Sequence, residues 1–277
     1  MIDALNDDVL DHILKLYSTP SLAALTFVSS RSYVIALPHL LRCIFLGKDT
    51  LQCIAFFNDV LDHIQRRIPN NSVLSYPSER GGPGKHIRKL QLAYSVCTQE
   101  FEEEECTVEM WAPLLRRAPE VMPNIRSVVI EARVEDIVSH SPGFAHALLT
   151  RPSLARLELR FLGTVASNRL GQALKSAPSP AVLKRVKFAY GSTSDEQDHT
   201  TVEYIGAVLF HSRKSLIQVA LDGYDLHRLL LANPDSGNTG VRFPLIFPNV
   251  TFLLSILVPV FVGTSCDIIS SIADYLV

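Results

Sequence analysis

Asp195, Glu196 and Asp198 stand beside His199 and form the nearest thing in this chain to a general acid–base group. Such chemistry needs a carboxylate or imidazole within hydrogen-bond reach of a reacting atom. Here the residues lie in a Ser/Thr-rich stretch, and a solvated loop accounts for them. Gly81-Gly82-Pro83-Gly84-Lys85 looks superficially like a phosphate-cradling loop. It lacks a preceding buried strand, the right spacing and a following Ser or Thr. His140 and His146 are six apart, which puts them on different faces of a helix and off metal spacing, and His199 and His211 flank one predicted helix without converging. The five cysteines, at 43, 53, 97, 106 and 266, are odd in number and contain no CxxC pair. That argues against a disulfide framework or a zinc site and for reduced thiols. Neither a nucleophile elbow nor an HExxH motif is present. The expectation is a non-enzyme with no cofactor and no metal.

Recognition chemistry is better represented. Arg88, Lys89, Arg126, Arg156, Arg160, Lys184, Arg185 and Lys187 recur beside short apolar runs. Guanidinium and ammonium groups held on a firm surface suit an acidic protein segment. The middle of the set supplies the expected anchors, Arg156, Arg160, Arg185 and Lys187. Glu131 and Glu158 lie among them, so a self-compensated, solvated edge is the competing reading. Glu102–Glu105 reads as a solvated acidic loop.

The elements that would hold these cations follow from one recurring pattern. It reads Ile87-x-x-Leu90-x-Leu92, Ile125-x-x-Val128-x-Ile130, Leu154-x-x-Leu157-x-Leu159, Leu183-x-x-Val186-x-Phe188 and Leu216-x-x-Val219-x-Leu221. A sixth copy, Val250-x-x-Leu253, carries Ser255 in its third slot. Each triplet predicts a short strand with alternate side chains buried. Helical patterns fall between them at 107–118, 141–150, 167–177 and 200–212. Pro123, Pro152 and Pro180 suit the turns into the strands. Strand plus helix returning every 29 to 38 residues predicts an irregular leucine-rich-repeat solenoid, with a parallel strand row inside and helices outside.

Hydrophobic residues make up 47% of the 277 residues and charged residues 19%, which describes a core-forming chain. A net charge of −2 gives no case for nucleic acid. The acidic start predicts no signal or transit peptide, and the apolar stretch 250–262 is too short for a bilayer. The expected compartment is cytoplasm, nucleus or both, with no membrane partner. A helix is predicted from about residue 50 to 68, followed by a turn-rich loop to Lys85 with one candidate strand at Val73–Tyr76. No Lys or Arg follows Arg242, so an atypical or truncated end is expected from about 243.

The first fifty residues predict three short helices. Val9, Leu10, Ile13 and Leu14 give the first a single apolar face, and Asn6 or Asp7 can cap it. Thr19-Pro20-Ser21 is read as a break, with Ser21 capping the second helix. Ser29 or Ser30 restarts a third, which Pro38 interrupts. So small a unit holds more apolar residues than its core requires, which points to a partner or to the following helix.

The segments Leu5–Leu14, Ser21–Leu25, Val28–Tyr33 and Leu37–Leu40 together resemble an F-box, over about residues 3–46. The sequence departs from the family pattern at Asn6, where proline is favoured, and at Tyr33, where tryptophan is frequent. The resemblance implies docking on the Skp-type adaptor of cullin–RING ubiquitin ligases. Leu5, Val9, Leu10, Ile13, Leu14, Leu22, Leu25 and Val28 would be the apolar contacts or their supports. An F-box ahead of leucine-rich repeats matches the order in F-box/LRR proteins, including the large fungal sets. The implied organisation is an F-box at 1–46, a connector at 47–85 and repeats at 86–277. The implied role is a non-catalytic substrate receptor that reaches a cullin through the adaptor and holds a protein target on the repeats. The alternative is a stand-alone repeat scaffold whose N-terminal helices cap the solenoid.

Overall fold

The computed structural model describes residues 6–46, 83–93, 108–191 and 199–224, together with positions 55 and 58. The fold is α/β. Six parallel strands form one open sheet in the order β1-β2-β3-β4-β5-β6, and eight helices are present among the described residues. The strands are β1 (Cys43–Leu46), β2 (Lys89–Leu92), β3 (Ser127–Ile130), β4 (Arg156–Leu162), β5 (Arg185–Tyr190) and β6 (Gln218–Asp222).

The apolar triplets set the register. Leu90, Val128, Leu157, Val186 and Val219 are successive partners across β2 to β6, and Leu92, Ile130, Leu159, Phe188 and Leu221 form the next inward row. All fifteen triplet side chains are buried, none more than 6% exposed. A parallel strand that slipped by one residue would turn these side chains to solvent, so burial of one face pins the pairing. Each Leu or Ile withdrawn from water in this way stabilises by about 1.5–3 kcal/mol.

β1 continues the pattern one strand further than the sequence reading placed it. Leu41, Ile44 and Leu46 repeat the spacing; Ile44 pairs with Leu90 and Leu46 with Leu92. Leu46 is buried, and Leu41 and Ile44 pack half-buried against the main core. The sheet thus starts inside the segment 1–46. The sixth copy, at Val250, lies outside the described residues, as do the candidate strand at 73–76, Glu102–Glu105 and the segment from 243; of the predicted connector helix only positions 55 and 58 are described, both helical.

Crossovers between parallel neighbours are right-handed almost without exception, so a sheet that advances in one direction brings its helices to one face. These are α4 (Val108–Val121), α5 (Val134–His140), α6 (Phe144–Leu149), α7 (Thr164–Ser176) and α8 (His199–Ser212). Trp111, Leu115, Ile137, Phe144, Leu148, Leu170, Ile205 and Leu209 bury against the inward rows in one continuous core. Helix α5 was not anticipated. Its Val134, Ile137 and Val138 are spaced for burial, but Arg133 at its start provides no side-chain cap.

Polar side chains just ahead of the strands tie neighbouring units together. Asn124 Nδ2 donates to the Lys85 carbonyl at 2.8 Å, Ser153 Oγ to that of Ile125 at 2.7 Å and Ser215 Oγ to that of Leu183 at 2.8 Å. Asn124, Ser153 and Ser215 each immediately precede the first apolar residue of a triplet.

Three helices precede β1: α1 (Asp7–Leu14), α2 (Thr19–Leu25) and α3 (Ser30–Leu40). The second starts earlier than expected. Ser18 is its cap and accepts from the Ser21 backbone N–H at 3.4 Å, while Pro20 sits in the first turn, where a missing N–H costs no ladder bond. Ser29 caps α3 through the Ser32 N–H at 3.1 Å. Pro38 does not interrupt α3; it lies near the end of a helix that runs to Leu40. Leu10, Leu14, Leu22 and Ala36 are buried in this unit, yet belong to none of the main core.

Candidate functional site

The face of the sheet opposite the helices carries the candidate binding residues, and strand alternation puts them there. On β4 the buried Leu157 and Leu159 alternate with Arg156, Glu158 and Arg160. On β5 Val186 and Phe188 alternate with Arg185 and Lys187. The register sets Arg156 beside Arg185 and Glu158 beside Lys187. The four predicted anchors therefore share one face of two adjacent strands.

They are not equivalent. Arg156 bends back on its own strand to Glu158, with Nη2 at 2.5 Å and Nε at 2.7 Å from Oε1. Arg160 lies 3.4 Å from Glu131, the residue after β3. Arg185 and Lys187 make no ion pair among the described residues. The compensation anticipated from Glu131 and Glu158 thus reaches half of the set.

The strand order bears on chemistry. Open α/β sheets bind small ligands in the crevice where the strand order reverses. Among the described residues the strand order does not reverse, so these strands form no such crevice. Among the described residues no group of three or more His, Cys, Asp or Glu side chains is placed to hold a metal ion. His140 Nε2 lies 3.1 Å from Glu109 Oε1 on the exposed helical side, and His146 lies 3.3 Å from the Ser176 hydroxyl. Both are local helix-to-helix contacts. Asp195, Glu196 and Asp198 lie outside the described residues. Cys43 is an exposed free thiol.

The second candidate surface is the N-terminal helical unit. Of the residues the F-box resemblance singles out, Leu10, Leu14 and Leu22 are buried, Ile13 and Leu25 half-buried, and Val9 and Val28 exposed. Leu5 lies outside the described residues. The structure adds apolar side chains that the sequence reading did not single out as contacts: Leu16, Tyr17, Phe27, Tyr33, Val34 and Phe45. Phe27 is 89% exposed and Leu16 87%. A usable signal was their position, because Leu16-Tyr17 and Phe27-Val28 come just after the ends of α1 and α2, off the buried faces. Asp11, Lys15 and His39 form a cluster that ties α1 to α3, with the His39 ring mostly covered: Asp11 lies 2.5 Å from Lys15 Nζ and 2.9 Å from His39 Nε2. The Lys15 hydrogen bond holds the Asp11 carboxyl below its usual range.

Behind the sheet, Glu135 of α5 accepts three backbone hydrogen bonds, from Gly163 at 3.0 Å, Val165 at 2.9 Å and Ala166 at 2.9 Å. It thereby closes the N-terminus of α7 from a different unit. Nearby, the rings of Tyr190 and Tyr224 meet edge-on at 5.7 Å, and burial pushes the Tyr224 hydroxyl far above its ordinary pKa. These groups hold units together; they do not face the candidate binding surface.

No family model matches this chain, and no curated protein matches it. No helix among the described residues is long and apolar enough to cross a membrane.

Proposed function

We propose that this chain is a substrate-recognition subunit of a cullin–RING ubiquitin ligase. In this reading, residues 1–46 dock on a Skp-type adaptor as an F-box, and an irregular leucine-rich-repeat solenoid holds a protein target. The chain itself is non-catalytic and works in the cytoplasm, the nucleus or both. The observation that carries the reading is the distribution of exposed apolar side chains. Of twelve large exposed hydrophobics among the described residues, eight fall between Val9 and Phe45. A monomeric surface rarely concentrates apolar side chains so strongly unless something covers them. Val9, Phe27 and Val28 are candidate contacts, while Leu10, Leu14 and Leu22 support them from the unit's own small core. The target face is the polar side of the sheet, on which the expected anchors Arg156, Arg160, Arg185 and Lys187 all lie.

One observation favours the alternative, a stand-alone repeat scaffold whose N-terminal helices act as a cap. The segment that carries the helices also supplies β1, and Leu46 joins the main core. Co-purification separates the two readings. The intact protein captures the adaptor from cells, and Phe27→Asp with Val28→Asp abolishes capture while leaving the melting transition in place, because both side chains are exposed. An intact, folded protein that never captures the adaptor overturns the ligase reading.

A further inference from the structure

The exposed sheet face is graded in charge along the strands, and the gradient locates the target segment more narrowly than the four expected anchors do. Backbone hydrogen bonds define a row at the strands' N-terminal ends. The carbonyl of Arg88 accepts from Arg126 and Ser127, that of Arg126 from Ala155 and Arg156, that of Ala155 from Lys184 and Arg185, and that of Lys184 from Ile217 and Gln218. Arg88, Arg126, Ala155 and Lys184 thus lie side by side. The next outward row, Lys89, Ser127, Arg156 and Arg185, follows from the strand register. Across β2 to β5 these two rows contain six cations and no acid. Glu158 appears one outward row further along, and Glu131 and Asp222 lie at the strands' C-terminal ends.

Neighbouring parallel strands are about 4.8 Å apart, so the cations form a band across the sheet and not an isolated pair. Lys89, Arg126, Lys184 and Arg185 have no side-chain hydrogen bond or ion pair among the described residues. Arg156, the direct cross-strand neighbour of Arg185, is already met by Glu158 of its own strand.

We propose that this band, on Arg88, Lys89, Arg126, Lys184 and Arg185, is the docking surface for a carboxylate-rich protein segment lying across the strands at their N-terminal ends. The proposal rests on the reading of the sheet face as the target-binding surface. It moves the site away from Arg160, whose charge Glu131 already meets. Two observations favour an acidic protein over a nucleic acid. The whole chain is slightly acidic, 26 Lys and Arg against 28 Asp and Glu, and so lacks the net positive field on which polyanion binding depends. The two basic rows on β2 to β5 also contain no aromatic side chain on which a base could stack.

The test is fluorescence anisotropy with a labelled octaglutamate peptide, the full-length protein and low salt. The wild type binds, and added salt weakens binding. Lys184→Glu with Arg185→Glu, or Arg126→Glu alone, lowers affinity by at least about tenfold, while Arg160→Glu changes it by less than about twofold. All three substituted band residues are exposed, so each variant keeps the wild-type melting transition. Failure of the wild type to bind, or equal losses for the band variants and Arg160→Glu, overturns the proposal. So does an octauridylate that binds as tightly as the peptide. Adaptor capture with the same variants keeps the two readings apart. Band variants that lose peptide but retain adaptor support both readings. A wild type that captures adaptor yet ignores the peptide overturns only the band, and one that binds peptide but captures no adaptor overturns only the ligase reading.

Discussion

The Glu135 carboxylate takes three backbone N–H groups from the turn that opens α7, although it belongs to α5. The first backbone donors of a helix have no partner of their own, and a negative charge is favourable at that end. Gly163, at the cap, leaves the room for it: a Cβ there would stand 2.6 Å from the Glu135 carboxyl carbon. Glu135→Ala should cost about 1–3 kcal/mol, and Glu135→Gln less, because the amide oxygen still accepts. Urea unfolding checks this, and an alanine variant as stable as wild type would show that water replaces the carboxylate without loss. Nothing in sequence announced this contact. Its two sides are 28 to 31 residues apart, and neither periodicity nor cap residues report a bond between units. The apolar triplets were legible for the opposite reason. Burial of Leu90, Val128, Leu157, Val186 and Val219 in one row demands the same residue type at the same place in every unit, and spacing alone reveals that.

At the scale of elements, close packing of α7 on α8 turns on Gly171. A Cβ at that position would run into the ring and Cβ of Tyr204. Glycine inside a helix is normally a loss of about 1 kcal/mol against alanine, so its presence here reflects packing and not propensity. Gly171→Ala should destabilise by about 1–3 kcal/mol in the wild type, because the clash outweighs the propensity gain. In a Tyr204→Gly background, which removes the ring and the Cβ alike, the same change should stabilise, by up to about 1 kcal/mol. A double-mutant cycle by chemical denaturation reads the sign directly; the same sign in both backgrounds would remove Tyr204 from the explanation. Most helices were legible because their apolar faces are long. The exceptions have local causes. In α5 the spacing of Val134, Ile137 and Val138 fills only two turns, and Arg133 supplies no cap, so nothing local marks a helix there. In α3 the sequence around Pro38 points to an interruption, yet the proline removes a bond only near the helix end.

For the molecule as a whole, the decisive boundary is Leu41 and not residue 46. Leu41-x-x-Ile44-x-Leu46 repeats the strand triplet, but it was hidden by lying inside an F-box-like segment and far ahead of the next copy at Ile87. Its consequence is experimental. Removing residues 1–46 as a docking domain also takes away β1. It would strip the Leu46 side chain from the core and free the N–H groups of Arg88, Lys89 and Ala93 from the carbonyls of Arg42 and Leu46. The informative cut starts the chain at Leu41. If α1 to α3 are a docking module with their own small core, that chain unfolds cooperatively at nearly the wild-type urea midpoint and captures no adaptor. A chain starting at residue 47 should be weaker than it by about 2–4 kcal/mol, through loss of the Leu46 burial and the first strand pairing. If the chain starting at Leu41 also collapses, the three helices are a cap on the sheet and the stand-alone scaffold becomes the better account. Equal stability of the two truncated chains would mean that β1 adds nothing to the sheet, against the burial of Leu46 and its pairing with Leu92.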